Sequence, residues 1–114
     1  MPRGASLHHA LGLALVRIGK SASAVDSLRR AVELAPDVPR YTYVYAVALH
    51  STGRPADAIT MLAHAAGRWP YDRDVLFALA SFELQAGRHE AARTTIARMM
   101  ERFPDDAEVQ ALAG

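Results

Sequence analysis

With 114 residues the chain has room for one domain, not for a dinucleotide-binding domain beside a substrate domain or for an eight-fold barrel. Hydrophobic residues make up 51% and charged residues 22%, which excludes global disorder, and 13 basic against 12 acidic residues leave a net charge of +1, too weak a field to draw nucleic acid or an anionic membrane. There is no cysteine, so disulfides, thiolate zinc sites, haem attachment and cysteine nucleophiles are excluded together.

The first predicted element is a helix from Ala5 to Ile18. Leu7, Leu11, Ala14, Leu15 and Ile18 recur at three- and four-residue steps and are expected to form its apolar face. Gly19 then ends it, as glycine does just past a helix C-terminus. A second helix carries Ala24, Val25, Leu28, Ala31, Val32 and Ala35 on its apolar side, and Pro36 forbids its continuation. Pro39 suits the first position of a third helix and Pro55, after Gly53, that of a fourth. Asp72 and Asp106 are placed to cap the helices that follow them. No run of alternating apolar and polar residues is bounded by turn signals, so no strand is expected.

The run from Ala10 to Val16 is the longest apolar stretch, far short of the ~20 residues a spanning helix needs. It superficially imitates a secretory leader. His8 and His9 interrupt it, and Arg17 and Lys20 stand before the Ser21–Ala24 stretch, features leaders avoid. The reading favours the cytoplasm, or the periplasm were the chain a piece of an exported protein. The scarcity of lysine and absence of asparagine beside abundant arginine and alanine are what GC-rich codons give, and point to a bacterial source.

These elements repeat. Gly19, Gly53 and Gly87 are spaced by 34 residues, as are Pro36, Pro70 and Pro104, Ala24, Ala58 and Ala92, Leu28, Leu62 and Ile96, and Leu11, Tyr45 and Leu79. Five columns in one register define units 5–38, 39–72 and 73–106 within a single domain 1–114, with 107–114 as the start of a capping helix.

This pattern resembles the tetratricopeptide repeat (TPR), with its signature W-x2-L-G-x2-Y, then A-x3-F, then P. The first copy has Leu11-Gly12, Leu15, Ala24, Leu28, Ala31 and Pro36 in those places, the second Tyr45-Ala46, Leu49, Ala58, Leu62, Ala65 and Pro70, the third Leu79-Ala80, Ala92, Ile96, Met99 and Pro104. The tryptophan place holds His8, Thr42 and Leu76. The tyrosine place of the third copy holds Glu83, which is expected to loosen packing between the last two helix pairs. The resemblance implies an all-α, right-handed solenoid of three helix-turn-helix hairpins plus the short C-terminal remnant. It also implies a concave surface lined by the first helix of each unit.

Enzymatic chemistry finds no support. No G-x-S-x-G, Walker or H-E-x-x-H motif appears. His8 and His9 point about 100° apart on a helix, and His50, His64 and His89 lie on different helices, so no metal site is expected. The chain reads as a non-enzyme without cofactor or metal. Arg29, Arg30, Arg93, Arg98 and Arg102 on second helices read as a solvated outer face.

The resemblance places the groove. His9, Tyr43 and Phe77 share one column, Leu13, Val47 and Ser81 the next, and Val16, His50 and Leu84 a third, with Arg17 beside it. Apolar and aromatic residues there predict a surface that binds an unidentified protein or peptide. Members that hold acidic chaperone tails use a clamp of lysine, asparagine and arginine. At the matching places stand His9, Leu13, Val44, Asp74 and Ala78, so that partner is not expected. The alternative is a structural module forming a homodimer through an open solenoid end, as the C-terminal part of a larger bacterial protein. After Pro104 only Val109 and Leu112 offer apolar cover to the last hairpin.

Overall fold

The structure is a computed structural model and describes residues 2–114, with side chains from residue 4 onward. Among the described residues there are seven helices and no strand: α1 (Pro2–Arg17), α2 (Ser21–Leu34), α3 (Pro39–Ser51), α4 (Pro55–Arg68), α5 (Arg73–Gln85), α6 (His89–Arg102) and α7 (Ala107–Ala113). The all-α reading and the helix order are those expected from the period.

Local chemistry fixes the helix ends. Gly19, Gly53 and Gly87 take φ of +80°, +86° and +75°, a left-handed conformation that side chains with a Cβ rarely adopt. The next residue then turns its amide back over the helix end. Lys20 N–H donates to Leu15 O at 2.9 Å, Arg54 N–H to Leu49 O at 3.0 Å and Arg88 N–H to Glu83 O at 2.8 Å. This six-to-one bond satisfies a terminal carbonyl and reverses the chain within three residues. Two of the predicted caps are made by side chains. Asp72 accepts from Val75 N–H at 3.1 Å, and Asp106 accepts from Glu108 N–H at 3.0 Å and Val109 N–H at 3.2 Å.

The chain divides into two compact units, 1–58 and 59–114, with the boundary inside α4. In the first unit α2 packs on both α1 and α3. Ala24, Leu28 and Ala31 of α2 are fully buried, as are Ala5 of α1 and Ala46 of α3. Burying a side chain such as Leu28 contributes about 1.5–3 kcal/mol. Gly12 is what lets α2 come so close. A Cβ there would lie 2.5 Å from Cγ and Cδ2 of Leu28.

The predicted apolar face of α1 needs correction. Leu7, Leu11, Ala14 and Ile18 are exposed, and the buried side of the helix is Ala5, His9 and Gly12. The columns explain why. Leu11 is 50% exposed, whereas Tyr45 and Leu79 at the same place in later units are 8% and 4% exposed. Leu7 is 70% exposed, whereas Val75 and Val109 are fully buried. Later first helices have a preceding helix to pack on, α2 for α3 and α6 for α7, and α1 has no such neighbour among the described residues.

In the second unit α6 packs on α5 and α7, and α7 also touches α5. Val75, Leu76, Ala80, Ala92, Met99 and Val109 are fully buried. The remnant after Pro104 folds as the first two turns of another first helix, tied down by a charge cluster. Arg73 at the start of α5 donates to Asp106 at 2.7 Å and to Glu108 at 2.8 Å.

Candidate functional site

Of the expected groove residues of α1 and α3, Leu13, Val16 and Val47 come together. Leu13 and Val16 of α1 meet Val44, Val47 and Ser51 of α3 around a cavity of about 180 Å³, with Leu28 and Ser21 of α2 at its base. The lining is mainly apolar, and Leu13, Val44 and Val47 are half-buried. An empty apolar hollow of this size has room for one or two aliphatic side chains of a ligand. Tyr43 and His50 lie on the same helix, both half-buried, while Arg17 at the end of α1 is exposed.

The sequence places Val44 only at a clamp position, whereas the structure puts it in the lining of this cavity. Its i, i+3, i+7 spacing with Val47 and Ser51 was the available signal. The lining is in keeping with the expectation that an acidic tail is not the partner. Leu13 and Val44, at two of the clamp places, present methyl groups where a carboxylate needs donors.

His9 does not present its ring to solvent as a groove residue would. It is 8% exposed, and its ring lies 4.6 Å from that of Tyr41, tilted by 33°. Neither Nδ1 nor Nε2 has a hydrogen-bond partner. Burial, with a smaller contribution from the Arg40 charge, holds the imidazole below its ordinary pKa of 6.5.

In the second unit Phe77, Ser81 and Leu84 lie along α5, all half-buried. The Phe77 ring is not bare, because the Arg73 guanidinium sits over it at 5.1 Å. Leu84 opens instead onto a hollow of about 400 Å³ shared with Ile96 and Met100 of α6 and Leu112 of α7. Among the described residues no group of histidines and carboxylates could hold a metal ion, and no helix is long and apolar enough to cross a membrane.

Known proteins show the same architecture. The chain resembles YrrB, described as a TPR protein with an unusual peptide-binding site, with a TM-score of 0.86 and 20% identity over 96% of this chain and 57% of that one. It resembles the first TPR of Spaghetti bound to the HSP90 peptide SRMEEVD, with a TM-score of 0.85 and 19% identity over 100% of this chain and 97% of that one. It also resembles the Yersinia enterocolitica type III secretion chaperone SycD in complex with a peptide of the translocator YopD, with a TM-score of 0.79 and 18% identity over 95% and 82% of the two chains. The chain spans about three fifths of the length of YrrB and of two MamA structures that it also matches. No curated protein matches it significantly. In sequence, one tetratricopeptide repeat family model matches residues 9–73 and another matches residues 49–114. Each spans more than half of the chain, and together with the 34-residue columns and the glycine turns they place it: the chain belongs to the tetratricopeptide repeat family.

Proposed function

We propose that the chain is a protein-interaction module that takes a peptide segment of a partner on the first-helix groove, chiefly by apolar contact. One observation carries this reading: the apolar cavity of about 180 Å³ lined by Leu13, Val16, Val44 and Val47. Peptide complexes of proteins with the same fold, Spaghetti and SycD, support it. The cavity anchors an aliphatic or aromatic side chain, Tyr43 adds ring area, and Ser51 offers a polar contact at the rim. In the second unit Phe77, Ser81 and Leu84 form a half-buried row of their own along α5. Affinity is expected in the micromolar range, about −8 kcal/mol, because a short peptide must be ordered on binding.

Peptide display against the wild type, followed by calorimetry on the selected sequences, tests the proposal. Val47→Asp should abolish binding, and Tyr43→Ala should weaken it by about 1–2 kcal/mol without unfolding the chain. The peptide SRMEEVD should not be selected. Peptides that bind Val47→Asp as tightly as the wild type would sink the reading.

A second reading, self-association as a structural module, is favoured by Leu7 and Leu11 on α1 and Ile18 in the turn after it, all at least half exposed. An isologous pair of such helix faces would bury apolar surface that later units keep covered. Sedimentation over a range of concentrations reads it directly. A monomer whose mass is unchanged in the Leu7→Lys, Leu11→Glu variant would end it.

A further inference from the structure

Among the described residues Glu83 is the one charged residue that is buried, 6% exposed, at a place where the earlier units carry Leu15 and Leu49. Its Oε1 accepts a hydrogen bond from Thr95 Oγ1 at 2.8 Å. The same hydroxyl lies 3.1 Å from Ala91 O, and one hydroxyl hydrogen cannot serve both acceptors at once. Thr95 in turn stands where the second unit has Met61. The third unit has thus exchanged an apolar pair for a polar one inside its packing. Burying a carboxylate with a single shared donor costs stability, so packing alone does not account for the exchange.

Glu83 and Thr95 line a pocket of about 340 Å³ between α4, α5 and α6, walled on one side by Ala63 and Ala66. Thr94 lines it too, and its hydroxyl hydrogen is directed to Glu90 O at 3.2 Å. Every hydroxyl hydrogen of the pocket is therefore engaged within the protein, and apart from the Arg98 guanidinium its polar side chains offer only acceptor lone pairs and one carboxylate. Arg98 also lines it but is exposed and forms no ion pair with Glu83. An acceptor-rich hollow with a buried carboxylate and apolar walls calls for a donor that is cationic, weakly hydrated and flat. A guanidinium group meets all three requirements, and an ammonium fails the second.

We propose that the α4–α5–α6 pocket is a binding site for a guanidinium group, held by Glu83 with Thr94 and Thr95 as further acceptors. The site is separate from the apolar groove and stands or falls independently of it. Arg98 at the rim opposes the cation and sets the affinity low.

Amide chemical-shift titration of the ¹⁵N-labelled chain tests this with N-acetyl-arginine methylamide as the probe. Saturable shifts are expected at Thr94, Thr95 and Gly67, with a dissociation constant on the order of millimolar, as suits a single anchored group. The norleucine analogue, of similar length but uncharged, should give none. Glu83→Gln keeps an acceptor for Thr95 and should fold normally yet lose binding at least tenfold. Arg98→Ala should tighten it severalfold by removing the repulsion. Free L-arginine binding more tightly than the blocked probe would identify a small-molecule source, and weaker or equal binding an arginine side chain of a polypeptide; either supports the guanidinium site. The proposal is overturned if no saturable shift appears, if Glu83→Gln binds as well, if norleucine competes, or if Arg98→Ala weakens the probe.

Discussion

Small residues decide the packing of this chain, and two of them make sharp tests. At Gly12 an alanine would gain about 1 kcal/mol of helix propensity. It would also drive a methyl to 2.5 Å from Leu28, a side chain with no exposed surface to retreat into. Overpacking of that kind costs about 1–3 kcal/mol, so the clash should win and Gly12→Ala should lower the melting temperature. Ala58→Leu faces the same problem at a fully buried position and should lose about 1–3 kcal/mol, whereas Ala63→Leu on an exposed position of the same helix should cost little. Equal melting temperatures for the two leucine variants would contradict this packing.

His9 gives a pH test at the same scale. Its folded pKa lies below the unfolded value of 6.5, through burial first and Arg40 second. The unfolded chain therefore binds the proton more readily, and the contribution of neutral His9 is fully present above pH 6.5 and declines as pH falls below it. The slope for one proton is at most about 1.4 kcal/mol per pH unit. Denaturation midpoints measured between pH 7.5 and 5 should fall in the wild type. The wild type should lose stability relative to His9→Leu on acidification, which isolates His9 from the other four histidines.

At the scale of elements, what was legible in the sequence was what is local. Gly19, Gly53 and Gly87 announce the turns because a positive φ is a property of one residue, and Asp72 and Asp106 announce caps because the bond spans three. The buried side of α1 was not legible. Ala5 and Gly12 carry almost no hydrophobic signal, and the larger Leu7, Leu11 and Ile18 pulled the reading to the wrong face. The Arg73–Asp106 pair was hidden for another reason, since its partners stand 33 residues apart. That pair fastens α7. Hydrogen bonding from Arg73 holds the Asp106 carboxyl at about 2, below its ordinary 3.8. Its stabilisation is complete above pH 4 and is lost as pH falls toward 2. Arg73→Met should return Asp106 toward its ordinary range and speed amide exchange at Val109, whose N–H Asp106 caps. Unchanged exchange would show that Val109 burial alone holds α7 in place.

Across the whole molecule charge is abundant but locally neutralised. Arg29 lies near Asp26 and Glu33, Arg54 binds Asp57 at 2.8 Å, and Arg93 approaches Glu90, all on exposed helix faces where such pairs contribute little stability. With a net charge of +1, little long-range field remains to steer a partner. On the proposed reading, selection comes from contact within the cavity of Leu13, Val16, Val44 and Val47, which is lined by no ionisable group. Burial of apolar surface carries a negative heat-capacity change and responds weakly to ionic strength, whereas charge attraction fades once the screening length drops from about 10 Å to about 3 Å. A peptide selected on the wild type should therefore change its dissociation constant by less than about twofold between 0.1 and 1 M salt. Its binding enthalpy should become more negative with temperature. A tenfold loss of affinity over that salt range would mean that attraction between charges holds the peptide, and that the cavity is not its anchor.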